Sequence, residues 1–274
     1  MLDQDDAVTT YSAAAEYRVD PLPRTHLTLG YSHHWFEQPG AQHQGNQLMV
    51  GVAYDLTSTL QAFGSYAQKV RFATIDQLFN PQQGNSLLRP EQSENYEGGI
   101  IWAFSPSGSA TVSGFHNNVK NFILNNPITQ SFFNEDIVVA GAQVIASYSP
   151  FPGLTFRPGY TYLDVRDPVT GLPTDYRPRH VVNFQVAYVP AATWLVSADL
   201  QYVADQSVGS KSNAATRFEV GDYTIVNARI QKSFPELALD CYVRGTNLLD
   251  ERYIYSVGFP AAGRTIYAGL EYHF

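Results

Sequence analysis

The chain has 274 residues, of which only 15% are charged while 14% are aromatic, with 18 Tyr and 16 Phe. A soluble domain usually carries about 25% charged residues, and no run of about 18 apolar residues supplies a transmembrane helix. The net charge of −8 excludes the basic footprint of a nucleic-acid partner, and the single Cys241 excludes an intramolecular disulfide and a thiolate zinc site.

Apolar residues recur with period two, the alternation of a β-strand rather than a helix. The pattern predicts strands near 7–18, 24–36, 46–55, 58–69, 94–104, 108–122, 136–148 and 153–164. In 180–189, Val182, Phe184, Val186 and Tyr188 oppose Asn183 and Gln185. In 193–203, Trp194, Val196, Ala198, Leu200 and Tyr202 oppose Ser197, Asp199 and Gln201. In 223–234, Thr224, Val226, Ala228 and Ile230 oppose Asn227, Arg229 and Gln231. In 237–248, Leu237, Leu239, Cys241 and Val243 oppose Ala238, Asp240, Tyr242, Arg244 and Thr246. At the end, Ile266, Ala268, Leu270, Tyr272 and Phe274 share one face, and Thr265, Tyr267, Gly269, Glu271 and His273 the other. About thirteen strands result, each apolar on one side only. A transmembrane β-barrel reconciles this with the low charge, because each strand shows lipid only half its side chains.

Short connections are expected at about 19–23, 56–57, 105–107, 149–152, 190–192 and 235–236. Long ones are expected at about 37–45, 70–93, 123–135, 165–179, 204–221 and 249–263. Strict alternation of short and long is the signature of an outer-membrane barrel, with short periplasmic turns and long extracellular loops. Tyr17, Tyr54, Phe104, Tyr148, Tyr188, Trp194 and Phe234 sit beside the short connections, as an interfacial aromatic girdle would. The last strand follows a long loop, so it runs down to the periplasm. Counting back, the first strand runs the same way, and residues 1–6 are expected outside the cell. An odd count starting outside implies further strands upstream, because complete single-chain bacterial barrels have an even number. The opening MLDQDDAVTT lacks a basic region followed by an apolar one, so a secretion leader is expected upstream as well.

Parity assigns the charges. With Tyr96, Ile100 and Trp102 towards lipid, Glu97 faces the lumen, and Arg157, Asp199, Arg229, Asp240, Arg244 and Glu271 also fall on lumenal faces. A charge on the lipid face costs about 2–4 kcal/mol for Arg or Lys at the midplane. Pairing across the wall, or docking of a plug, is the role expected for these side chains. His33, His34 and His43 flank one extracellular loop, but adjacent residues of a strand point to opposite faces, and no metal site is expected there. His116, His180 and His273 are isolated. No Gly-x-Ser-x-Gly elbow, His-Glu-x-x-His or phosphate-binding glycine loop is present, so neither catalytic residues nor a cofactor are expected.

Several segments carry a family likeness. The stretch RGTNLLDERYIYS (244–256) contains Asn247, Leu248, Asp250 and Tyr253, and GFPAAGRTIYAGLEYHF follows with Gly263, Arg264 and a terminal Phe274. Upstream, SLLRPEQSENYEGGII (86–101) contains Pro90, Glu91, Tyr96, Glu97 and Gly99, and is preceded by RFATIDQLFNP. With GDYTIVNARIQKSF, these segments resemble, in the expected order over about 58–274, the signature elements of TonB-dependent outer-membrane receptors. The resemblance implies one partial domain over 1–274, the C-terminal portion of a 22-stranded barrel whose plug domain and TonB-contacting box are absent. It implies a role in energised uptake of a scarce nutrient, such as a ferric siderophore or cobalamin, captured by extracellular loops rich in aromatic and polar residues (SFFNEDI, YLDVRDPVTGLPTDYRPRH and DQSVGSKSNAATRFEVGDY). It implies outer-membrane lipid and the barrel assembly machinery as partners, with Phe274, Tyr272 and Leu270 as the assembly signal. TonB and the plug would be partners only in an intact protein. Asn247 and Asp250 are expected to act as turn formers rather than as ligand contacts. The alternative is a passive porin-like barrel of about 12–14 strands; an outer-membrane hydrolase and a soluble sandwich are remoter readings.

Overall fold

A computed structural model of the protein describes residues 7–126, 131–210, 216–256 and 258–273. Thirteen strands form one antiparallel sheet in which each pairs with the next in sequence. They are β1 (Thr9–Leu22), β2 (Thr25–Gln38), β3 (Ala41–Asp55), β4 (Leu60–Arg71), β5 (Glu91–Ser105), β6 (Gly108–Asn125), β7 (Phe132–Tyr148), β8 (Leu154–Arg166), β9 (His180–Tyr188), β10 (Trp194–Ala204), β13 (Tyr223–Phe234), β14 (Leu239–Thr246) and β17 (Thr265–Tyr272). Two small hairpins stand outside it: β11 (Gln206–Gly209) with β12 (Arg217–Val220), and β15 (Ile254–Ser256) with β16 (Phe259–Pro260). Among the described residues there is one α-helix, α1 (Ile75–Phe79), in the β4–β5 loop.

The register carries the alternation across the whole sheet. Ile266, Ala268, Leu270 and Tyr272 of β17 face Gly245, Val243, Cys241 and Leu239 of β14. Val243 and Gly245 continue to Ile230 and Ala228 of β13, and these to Val196 and Ala198 of β10. Along the other face, Ser65 opposes Glu97, Arg157 opposes Gln185, Asp199 opposes Asn227, and Arg229 opposes Arg244. Cross-strand partners share a face, so one continuous surface is apolar and the other polar, as lipid and a wet lumen require. The charges therefore stand where parity assigned them. Tyr17, Tyr54, Phe104, Tyr148, Tyr188, Trp194 and Phe234 all lie on the apolar face at the short-turn end and are all exposed. Trp102 and Phe104, and Phe104 and Tyr148, form ring pairs 5.5 and 5.7 Å apart. Amphipathic rings in that row mark the headgroup level.

Among the described residues the sheet does not close: β1 pairs only with β2, and β17 only with β14. The small closed barrel held open by the sequence is thereby corrected, since a pore needs every edge satisfied. A second correction concerns the expected long loop at 37–45. β2 runs to Gln38 and β3 starts at Ala41, joined by a tight turn with Gly40 at φ +80°. A strand of about 9–11 residues spans the bilayer, so these strands continue upwards as a paired hairpin. Above the membrane both faces meet water, and the sequence AQHQGNQ has no period two to betray a strand. β6 and β7 extend in the same way, past a bulge at Asn121 (φ +55°). The expected extracellular position of residues 1–6, and residues 127–130 and 211–215 of two expected loops, lie outside the described residues.

Candidate functional site

The first signature segment is pinned at the extracellular end of β4–β7. Arg71 at the end of β4 grips Glu91 at the start of β5 with two parallel bonds, Nε to Oε2 at 2.6 Å and the second guanidinium nitrogen to Oε1. Glu91 is buried, and its Oε1 also accepts the Ile123 amide at 2.8 Å. Pro90 O accepts Asn121 Nδ2 at 3.4 Å. Arg89 and Asn134 bond in both directions, at 2.8 and 3.1 Å. Three consecutive residues, 89–91, thus tie the β4–β5 loop to the β6–β7 hairpin. Charge-assisted bidentate bonding of this kind fixes orientation as well as energy. The loop above folds on a small core of Phe36, Ala73, Leu78, Leu88 and Ile123. A capping box starts its helix: Thr74 Oγ1 accepts the Gln77 amide at 3.3 Å, and Gln77 Oε1 accepts the Thr74 amide at 3.0 Å. Tyr96, further down β5, faces lipid beside Tyr66 (5.1 Å between centroids), and Glu97 faces the lumen. Gly99 lies under the Phe63 ring, where a Cβ would meet Phe63 at 2.8 Å and Val112 O at 2.4 Å.

The second signature segment forms a turn above β14. Asn247 is buried and left-handed (φ +49°), and Asp250 is left-handed too (φ +56°). Asn and Asp tolerate that region better than other non-glycine residues. Asn247 donates from Nδ2 to Glu251 O (2.9 Å) and Ala262 O (3.1 Å), and its Oδ1 accepts the Glu251 amide at 2.9 Å. Its own amide donates to Asn227 Oδ1 at 2.9 Å, and Asn227 donates onward to Asp199 of the lumenal wall at 2.7 Å. Asp250 Oδ1 accepts the Arg264 amide at 2.9 Å, and an added Cβ on Gly263 would stand 3.0 Å from the same oxygen. Leu248 packs over Gly245. The structure thus brings Asn247, Leu248, Asp250, Gly263 and Arg264 into one clamp, closing the loop onto the top of β17. Tyr272 and Leu270 stand at the other end of β17, exposed on the lipid face of the edge strand; Phe274 lies outside the described residues.

Tyr253 leaves the clamp and turns inward. Its ring stacks on Tyr223 at 4.4 Å, and its hydroxyl bonds that of Tyr255 at 2.9 Å. Burial, and then the Tyr255 contact, push the Tyr253 phenol well above its usual range. Beneath the pair, a polar cavity of about 360 Å³ is lined by Asn183, Gln185, Asp199, Gln201 and Asn227. Of the lumenal charges, Asp199 bonds Asn227, Arg229 bonds Gln231 (2.7 Å) and covers the Tyr242 ring (4.1 Å), and Asp240 bonds Gln231 (2.8 Å). Glu97, Arg157, Arg244 and Glu271 make no ion pair among the described residues.

The extracellular mouth lies among the three loop sequences that the resemblance singles out for ligand capture, but which of their side chains meet was not legible in the sequence. The loop after β8 folds on Asp167, whose carboxylate accepts the Val169 amide at 2.7 Å and the Thr170 hydroxyl at 2.8 Å; the Thr170 bond holds it below the usual carboxylate range. Asp175 accepts the Gly209 amide at 2.9 Å and pairs with Arg217 at 2.8 Å, joining that loop to the β11–β12 hairpin. Between these loops and the raised ends of β6 and β7 opens a cavity of about 520 Å³, lined by Leu124, Phe133, Glu135, Leu172, Tyr176, Arg177 and Arg217. Glu135, above the membrane-crossing part of β7, is held above the usual carboxylate range by burial first and then by Asp167 and Asp175. None of these residues lies in a signature segment, and their partners come from distant loops. Among the described residues no cluster of three His, Cys, Asp or Glu is placed to hold a metal ion. His33 and His34 point to opposite faces: His33 bonds Asn46 (2.6 Å), and His34 bonds Ser12 (2.7 Å) and Ser32 (2.9 Å).

Comparison with known proteins bears on this architecture. The protein is 24% identical over 245 residues to the vitamin B12 transporter BtuB of Photobacterium profundum, covering 84% of this chain and 38% of that protein. The BtuB of Vibrio cholerae is 23% identical, with 85% and 38% covered. Among solved structures, the siderophore receptor PirA of Acinetobacter baumannii superposes with a TM-score of 0.77 at 18% identity, over 97% of this chain and 46% of that one. The ferripyoverdine receptor of the outer membrane of Pseudomonas aeruginosa gives 0.73 at 19% identity, over 97% and 38%. The chain thus spans 38% to 46% of the length of these proteins, and the small-porin alternative is set aside. The family described as “TonB dependent receptor-like, beta-barrel” matches residues 2–248, and the chain belongs to that family of the bacterial outer membrane.

Proposed function

We propose that this chain, as one partial barrel domain over 1–274, forms wall and mouth of a receptor for TonB-energised uptake of a metal chelate or vitamin, such as a ferric siderophore or cobalamin. The observation that carries the reading is the mouth cavity. Apolar and aromatic side chains (Leu124, Phe133, Leu172, Tyr176) and two guanidinium groups (Arg177, Arg217) converge there on loops braced by side-chain bonds. Small-molecule sites combine an apolar lining with a few placed polar groups in this way. The curated relatives are named as vitamin B12 transporters, and solved structures of similar fold as siderophore receptors and a copper transporter. TonB and a plug would act in the intact receptor, the plug meeting the lumenal charges Glu97, Arg157, Arg244 and Glu271. On this reading Phe274, with Tyr272 and Leu270, is the signal taken up by the barrel assembly machinery, and Phe274→Ala lowers outer-membrane yield; an unchanged yield counts against that part.

The test is ligand binding to outer membranes carrying the receptor, with a panel of ferric chelates and cyanocobalamin. One ligand is expected to bind, and Arg217→Gln to weaken it about tenfold, as loss of a charged hydrogen bond does. Absence of binding by every chelate and corrinoid overturns the proposal.

A further inference from the structure

On the lipid face of the periplasmic half of the sheet, the register positions are filled by aliphatic, aromatic and small residues, with Lys232 as the single charged side chain among the described residues. Lys232 stands two residues from the end of β13, in the row of Trp194 and Phe234. Its ammonium donates to Thr193 Oγ1 at 2.6 Å and lies 5.0 Å from the Trp194 ring centre and 5.7 Å from that of Phe234. No carboxylate pairs with it among the described residues. One donor is used, and an ammonium has three. Beside it, towards the middle of the membrane, a groove of about 850 Å³ runs across β13, β14 and β17. Cys241 and Ala268 floor it, and Trp194, Ile230, Val243 and Leu270 wall it.

A cation held at headgroup level next to an apolar furrow is complementary to one kind of molecule: a lipid with a negatively charged phosphate and an acyl chain. We propose that this groove binds an anionic phospholipid of the inner leaflet, its phosphate on Lys232 and Thr193 and one chain over Cys241 and Ala268. The inference rests on the membrane-spanning reading of the sheet. It goes beyond that reading, since a lysine that merely reached for water would show no headgroup preference.

The receptor is purified from its membrane and reconstituted in phosphatidylcholine nanodiscs, with Trp35, Trp102 and every tryptophan outside these 274 residues replaced by Phe, so that Trp194 is the reporter. Brominated phosphatidylglycerol is expected to quench Trp194 about fivefold more effectively than brominated phosphatidylcholine at equal mole fraction, the preference one basic side chain gives near anionic lipid. Lys232→Gln removes the preference, Lys232→Arg keeps it, and Cys241→Leu, which fills the floor, weakens quenching by both lipids. Native mass spectrometry of the unaltered receptor is expected to retain phosphatidylglycerol over phosphatidylcholine in the same proportion. Equal quenching or equal retention of the two lipids, or a preference surviving in Lys232→Gln, overturns the proposal. Outer-membrane fractionation of the same protein reports on the spanning reading separately, so the two failures are distinguishable.

Discussion

Asn247 shows how much one side chain can hold. Its left-handed backbone, two donated bonds and one accepted bond close the turn above β14, and its amide reaches Asn227 in the wall. Asn247→Ala strands the Glu251 and Ala262 groups and strains the backbone, with an expected loss of about 2–4 kcal/mol. Asn247→Gly relieves the strain but not the lost bonds, so it should fall between the two in thermal unfolding followed by β circular dichroism. At the mouth, Glu135 provides a pH-dependent contact. Its carboxyl is raised by burial and by Asp167 and Asp175, so the folded mouth binds this proton more tightly than the unfolded chain does. The stabilisation by protonation is present at low pH and is lost as pH rises through the raised value. Protection of 167–179 from amide exchange is therefore expected to increase as pH falls towards the ordinary carboxylate range, and Glu135→Gln should abolish the change. The sequence displays Asn247 and Asp250 in a motif, but nothing local marks Glu135, because its perturbing charges lie in another loop.

At the scale of the strand, the lumenal face carries cross-strand pairs of an aromatic and a glycine among its polar positions. Phe63 of β4 covers Gly99 of β5, and Tyr242 of β14 covers Gly269 of β17. The ring shields the bare backbone of its partner and pins the register, which a glycine alone specifies weakly. Gly99→Ala would drive a methyl into the Phe63 ring and Val112 O, at an expected cost of about 1–3 kcal/mol. Since the ring is one of the two obstacles, Phe63→Ala should recover part of that loss, giving a coupling energy of the sign opposite to simple addition in a double-mutant cycle. The alternation that revealed each strand was legible because lipid and lumen impose opposite polarities. It failed above the membrane, at 41–45 and 132–135, where both faces are wet. It also passed over α1, although Thr74 and Gln77 spell a capping box, because a single turn of helix leaves no periodic stripe.

For the whole molecule the open edges decide behaviour. Among the described residues β1 and β17 each have a strand neighbour on one side only, and so leave two sheet edges at the ends of the thirteen-stranded sheet. Backbone groups left unpaired at an edge cost several kcal/mol each in hydrocarbon. The 274-residue chain refolded by itself into detergent micelles is therefore expected to aggregate, and to show no fast-migrating unheated band on a gel. A heat-modifiable band with β circular dichroism would mean instead that the two edges can meet, and would overturn this expectation.

The sequence by itself determined the all-β class, the strand count of the main sheet, the inside and outside of the wall, the aromatic girdle and the family signatures. All follow from local pattern, because an amphipathic strand between two solvents needs every second residue to match. Only the tertiary structure decided that residues 89–91 and Asn247 are clamps, that the 37–45 segment is a paired hairpin, and that Glu135 and Arg217 meet at one mouth. It also decided that Lys232, with no carboxylate partner among the described residues, stands beside a furrow. Each depends on which strands and loops become neighbours, and that arrangement is set by register and packing across the sheet rather than by the order of residues along one strand.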